Sequence, residues 1–236
     1  MSFLKAEWRK LALANYEVPP TVLAPYCPYG TQLDLWKGKY YVSLVGFMFL
    51  NTKLKGFKIP FHVNFEEVNL RFYVGKEVDG KWRRGVVFIK EIVPKPAITF
   101  VANTVYKENY ATMPMKHQWL EENKQLLVKY EWKNKGVWQH FEVVTSPEAI
   151  EIEVDSEAEF ITEHYWGYAH VNDKKTNEYQ VTHPRWQQYE IQSYNIQVDF
   201  ALNYGNGFAF LNELEPTSVM LAEGSEITVE PKQKMS

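Results

Sequence analysis

The stretch FHVNFEEVNLRFYVG, Phe61 to Gly75, decides how the rest of the chain reads. Apolar residues fall at Phe61, Val63 and Phe65, then at Val68, Leu70, Phe72 and Val74. Each half alternates with the period of two that marks a strand with unlike faces. The phase slips by one at Glu66-Glu67, which is what a β-bulge produces. Beyond the slip, Glu67, Asn69, Arg71 and Tyr73 share a face. Same-face neighbours on a strand lie roughly 7 Å apart. Glu67 and Arg71 are therefore not a direct ion pair unless both lean together. They converge instead on something between them: a ligand, a water or a partner strand.

Outward from this strand, turn signals recur at short intervals. Lys37-Gly38, Asp79-Gly80 and Lys135-Gly136 sit between apolar or alternating runs and predict hairpins. Tyr40 to Leu50 is the longest strongly apolar run, as in a strand buried on both faces. Further strands are expected at Gly85–Ile92, Ile98–Tyr106, Gln125–Trp132, Val137–Thr145, Glu148–Val154, Tyr179–Val181, Gln188–Leu202, Phe208–Leu211 and Ile227–Val229. Leu4, Trp8 and Leu11 at i, i+4 and i+7 predict an N-terminal helix capped by Ser2 and stopped by Pro19-Pro20. Ser156 and Glu159 form a capping box for a short helix near 156–165. The pattern is mainly β, an antiparallel barrel or sandwich in one domain over 1–236. Residues 231–236 are expected to fray.

Composition narrows the function classes. The chain has 236 residues, 45% hydrophobic and 16% aromatic, enough for a sizeable core. A net charge of −3 offers no basic field for nucleic acid. A single cysteine, Cys27, rules out an intrachain disulfide and points to a reducing compartment. No secretory signal or bilayer-length apolar run is read, so a cytoplasmic protein with no membrane partner is expected. The aromatic content permits a homodimer interface without demanding one. No glycine-rich phosphate loop or nucleophile elbow is present, and no cofactor is expected.

Six ordered segments carry a resemblance. They are PYGTQLDLWKGKYYVSLVGFMF (28–49), FEEVNLRFYV (65–74), RGVVFI (84–89), EHYWGY (163–168), VTHPRW (181–186) and SVMLAEGSEITV (218–229). Together they resemble the YqjF-like bacterial family of unknown function, a branch of the acetoacetate decarboxylase-like superfamily. The resemblance implies a mainly antiparallel, cone-like β-barrel around an interior cavity. It also implies a test for chemistry, because the superfamily enzyme forms a Schiff base through a lysine of lowered pKa. The best match to that lysine motif is ENYATMPMK, Glu108 to Lys116. Met115 stands at the nucleophile position, and a thioether forms no imine. Lys116 alone remains, and a register change of one that brought it into line would also turn it to the other face.

The candidate residues follow. Glu67 falls where the superfamily carries an active-site glutamate, and is a general base or a structural partner of Arg71. Arg71 offers a planar fork for a carboxylate or phosphate, or a salt bridge. Asn69 and Tyr73 are supporting donors. His183, held extended by Pro184, is an acid, base or ligand clamp beside Trp186, or a histidine bonded to backbone. His164 and His170 lack zinc spacing, so no metal is expected. Lys53, Lys55 and Lys58 read as a solvated loop. Three functions fit: a binding protein for a small carboxylate or carbonyl compound; a lyase, enolisation or hydratase enzyme using Glu67 and His183; or a non-catalytic structural protein.

Overall fold

Tight turns set the architecture. In this computed structural model, which describes residues 2–235, the chain forms fourteen strands. They are β1 (Leu4–Glu17), β2 (Gln32–Leu33), β3 (Tyr41–Leu54), β4 (Phe65–Val78), β5 (Lys81–Val93), β6 (Tyr110–Thr112) and β7 (Met115–Glu122). Then come β8 (Gln125–Asn134), β9 (Val137–Glu151), β10 (Trp166–Asn172), β11 (Lys175–Thr182), β12 (Gln187–Gln197), β13 (Ser218–Val229) and β14 (Gln233–Met235). The two-residue turn at Asp79 (φ 51°) and Gly80 (φ 72°) joins β4 to β5, and Lys135 (φ 45°) and Gly136 (φ 88°) join β8 to β9. Positive φ at both turn positions matches the right-handed twist of the strands they connect.

The sheet closes on itself. Its order runs β11-β10-β5-β4-β3-β1-β13, and β13 pairs back to β11 at Val181↔Val229 and Thr182↔Thr228. These strands form a cone-like ring. From β13 the sheet continues as β12-β9-β8-β7 and folds over the outside of the ring. Val68, Leu70, Phe72 and Val74 of β4 meet Val128, Tyr130, Trp132 and Phe141 of that flap in one apolar cluster. Gly46 is needed at this contact, because a Cβ there would lie 2.8 Å from the Tyr130 ring. The opposite faces of the same strands point into the ring. The helix Glu157–Thr162 closes part of it with buried Phe160 and Ile161. Its start is the capping box, with Ser156 Oγ accepting from Glu159 N–H at 3.1 Å.

Several expectations are corrected. The N-terminal segment is strand, not helix. Lys10 takes φ 52° and the register shifts across Arg9–Ala12, so a bulge inserts one residue. That turns an inward period of two into the spacing of Leu4, Trp8 and Leu11, which imitates a helix. No bulge lies at Glu66-Glu67, where β3–β4 pairing is regular from Phe49↔Phe65 onward. The slip arises because the apolar residues change face: Phe65 shares the inner face with Glu67, Asn69 and Arg71, whereas Val68, Leu70, Phe72 and Val74 pack on the outer one. The bulge in this hairpin is on β5, where Leu70↔Lys90 is followed by Arg71↔Phe88. Residues 96–106 are helical rather than extended, with Pro96 at the first helical position. The short helices Phe200–Tyr204 and Asn206–Glu213 take in Phe200–Leu202 and Phe208–Leu211, where strand was expected. Gln233–Met235 pairs with β11 instead of fraying; Ser236 lies outside the described residues.

Candidate functional site

Every strand of the ring lines a cavity of about 250 Å³. Most of its wall is apolar, with Trp8, Phe47, Phe49 and Phe88 among the larger side chains. A polar cluster interrupts it, where β4 supplies Glu67, Asn69 and Arg71 and β5 supplies Glu91. Glu91 lies opposite Asn69 in the β4–β5 register. Glu108, just before β6, Tyr110, its first residue, and Tyr179 of β11 complete it. Of the four residues expected to share a face, Glu67, Asn69 and Arg71 line this interior and Tyr73 does not.

Arg71 is 7% exposed, and its guanidinium has no carboxylate within ion-pair distance among the described residues. Nη2 donates to the Ile161 carbonyl at 3.5 Å, and Nε has no hydrogen-bond partner. Beneath it, Tyr73 lies 5.8 Å from the guanidinium carbon and bonds Ser43 through its hydroxyl at 2.7 Å. Tyr73 is therefore a floor under Arg71, not part of the cavity wall. Glu67 accepts from Asn69 Nδ2 at 3.0 Å and Tyr110 OH at 3.2 Å. Asn69 Oδ1 and Glu91 Oε2 are buried without partners. Glu108 accepts from Tyr179 OH at 2.7 Å.

Burial dominates the electrostatics. It raises Glu67 to about 7, against the opposing pull of Asn69, Tyr110 and Arg71. It raises Glu108 to about 7 as well, with the Glu67 charge adding to the rise. Glu91 stands well above the carboxylate range, through burial first and then the charges of Glu108 and Glu67. His164, whose ring stacks beside Tyr73 at 4.7 Å, also lines the cavity. Burial lowers it to about 4 although Asp34 opposes this from 3.4 Å, so it is neutral at pH 7.

Other expected site residues lie elsewhere. His183 stacks on Trp186 at 4.2 Å and on Tyr165 at 4.6 Å, with Nδ1 2.9 Å from the Pro184 carbonyl. It is buried away from the cavity wall. Trp186 stands behind Trp8 and donates to Ser225 Oγ at 2.9 Å. Met115 packs against the outer core, and Lys116 is exposed on β7 with Glu131 at 3.2 Å. Neither reaches the cavity, and no lysine lines it among the described residues. Sequence reasoning missed Glu91, Glu108, Tyr110, His164 and Tyr179. The available signal was the charged pair Lys90-Glu91 inside the otherwise apolar run Val86–Val93. Among the described residues no group of three or more His, Cys, Asp or Glu is arranged to hold a metal ion, and no helix is long and apolar enough to cross a membrane.

The profile of DUF2071, described as an uncharacterized conserved protein, matches residues 5–226. No sequence among the curated proteins matches. Among solved structures, acetoacetate decarboxylase from Legionella pneumophila superposes with a TM-score of 0.66 at 11% identity, covering 99% of this chain and 87% of that one. An acetoacetate decarboxylase-like enzyme from Sphingomonas wittichii gives 0.66 at 10% identity, over 100% and 94%. The enduracididine biosynthesis enzyme MppR, complexed with pyruvate, gives 0.67 at 9% identity, over 100% and 91%. At these identities the likeness shows an acetoacetate decarboxylase-like fold.

Proposed function

The chain belongs to the DUF2071 family, and on that premise we propose that its ring cavity binds a small carboxylate or carbonyl compound anchored by Arg71. The observation that carries this is the guanidinium itself. A cation buried in an apolar cavity is costly unless paired. Arg71 has one long backbone contact and a free Nε. A carboxylate would complete it through two parallel hydrogen bonds. The fold neighbour complexed with pyruvate binds a small keto acid in the same architecture, which supports that ligand class.

Isothermal titration against pyruvate, acetoacetate and butyrate tests the reading. At least one acid binds the native protein, and Arg71→Ala loses that binding. If no acid binds, or if Arg71→Ala binds as well as the native chain, Arg71 is not the anchor.

A second reading is favoured by Glu67, whose carboxyl titrates near 7 at the same cavity. A group poised there transfers protons in either direction at neutral pH. It would enolise a bound keto acid without an imine, since the lysine of the superfamily mechanism has no counterpart on the cavity wall. His183 has no part in this version, because it lies behind the wall. Solvent deuterium exchange into pyruvate, catalysed by the native chain and lost in Glu67→Gln, supports it; exchange that persists in Glu67→Gln removes it.

A further inference from the structure

The cavity carries more acceptors than a simple carboxylate ligand uses. Beside Arg71 on the cavity wall stand three carboxyls from three segments: buried Glu67 on β4, buried Glu91 on β5 and half-buried Glu108 before β6. Glu91 is 2% exposed and Asn69 is 1% exposed. Each keeps an acceptor oxygen without a hydrogen-bond partner. Both belong to the cavity wall and face one another in the β4–β5 register. Asn69 adds a neutral acceptor to the carboxyls. Its Nδ2 is committed to Glu67 at 3.0 Å, which leaves its carbonyl oxygen free to accept. Buried acceptors without donors are rare in folded proteins and mark places where a donor arrives.

We infer that the ligand is a small amphoteric molecule, with a carboxylate on Arg71 and a cationic nitrogen among Glu67, Asn69, Glu91 and Glu108. This rests on the carboxylate reading above and extends it. The three carboxyls are not arranged as a metal site, whereas an ammonium or guanidinium group carries several donors spread over a wider arc. The two ends of the site fit one short molecule. Asn69 and Arg71 are successive residues on one face of β4, about 7 Å apart. A chain of a few carbons spans that distance. Apolar walls from Phe47, Phe88 and Trp8 would cover the methylenes.

Tyr110 and Tyr179 donate to the carboxyls, Tyr106 packs edge-on against Tyr179 at 5.2 Å, and His62 and His164 are the other titratable side chains on the cavity wall among the described residues. Burial holds the three carboxyls towards their protonated forms. An arriving cation would reverse this and expel protons to solvent.

The test compares butyrate, 4-aminobutyrate, 4-guanidinobutyrate and butylamine by calorimetry in buffers of different ionisation enthalpy, at about pH 6.5. The expected result is that an amphoteric compound binds at least about tenfold more tightly than butyrate. It also releases protons on binding, and butyrate does not. Glu91→Gln and, separately, Glu108→Gln lower the ratio of amphoteric-compound affinity to butyrate affinity towards one. The melting temperature of each variant without ligand reports whether it is folded. If butyrate binds as tightly as 4-aminobutyrate and 4-guanidinobutyrate, with no difference in proton release, the amphoteric inference falls and the carboxylate reading stands. If none of the four binds, or if binding survives Arg71→Ala, both fall.

Discussion

The two faces of β4 are equally buried and chemically opposite. The outer face, Val68, Leu70, Phe72 and Val74, is wholly apolar and sealed by the flap of β8 and β9. On the inner face, Glu67, Asn69 and Arg71 lie at 7% exposure or less, with two of their polar atoms unpartnered. Folding alone accounts for the first face, since burying apolar area is favourable and close packing adds to it. It does not account for the second. Each unpaired buried polar atom costs on the order of 1–3 kcal/mol, and an apolar side chain of similar volume would avoid that cost. A face kept polar against such a penalty is a face with another use.

The largest expected effect separates the two faces directly. Phe72→Ala removes a fully buried ring from the outer face and should cost about 3–5 kcal/mol of unfolding free energy. Arg71→Met on the inner face removes an unpaired charge and keeps most of the volume. Its unfolding free energy should stay within about 1 kcal/mol of the native value, or rise. Denaturant unfolding of both variants measures the contrast. If Arg71→Met loses as much as Phe72→Ala, Arg71 is holding the ring together, and the distinction between the faces disappears.

A smaller effect is the pH dependence of stability, and it also belongs to the inner face. Glu67 and Glu108 titrate near 7 in the folded chain against an ordinary value of 4.5. A folded value above the unfolded one gives a contribution fully present below 4.5 and lost as pH rises through 7. His164 runs the other way: its folded value near 4 lies below 6.5, so its contribution is present above 6.5 and lost as pH falls towards 4. Thermal melts should therefore show stability declining from about pH 6 to pH 8. Glu67→Gln and Glu108→Gln should each flatten that decline, since every tenfold difference in proton affinity between folded and unfolded chains is worth about 1.4 kcal/mol. Phe72→Ala should lower the whole curve without changing its slope. A native curve flat from pH 6 to 8 would contradict the buried carboxyls.

What the sequence disclosed follows the same division. The outer face and the hairpins are legible because a period of two and an Asp-Gly or Lys-Gly pair are local signals. Glu67, Asn69 and Arg71 are legible as one face for the same reason. Glu108 and Tyr110 are not, because they come from a short crossing segment with no periodicity, placed by the parallel pairing of β5 and β6. The N-terminal strand reads as a helix because the bulge at Lys10 gives it a helical spacing. His183 and Trp186 read as cavity residues because Pro184 fixes an extended backbone. An extended backbone does not decide which side of a wall a ring stands on.

The smallest expected effect concerns Lys116, where resemblance and geometry meet. Its side chain is 56% exposed, on a strand of the outer flap, with Glu131 as partner. An exposed pair of this kind contributes at most about 1 kcal/mol and often nothing measurable. Lys116→Ala should leave the unfolding midpoint and any ligand affinity unchanged within error. Imine chemistry needs an unprotonated amine beside the substrate. A lysine in solvent, away from the cavity that holds Arg71, meets neither condition. Borohydride reduction in the presence of pyruvate or acetoacetate should therefore leave the mass of the protein unchanged. A reduced adduct mapped to Lys116 would show that β7 swings into the ring in solution. In that event the flap would be part of the site, and the separation of outer from inner face would hold only without substrate.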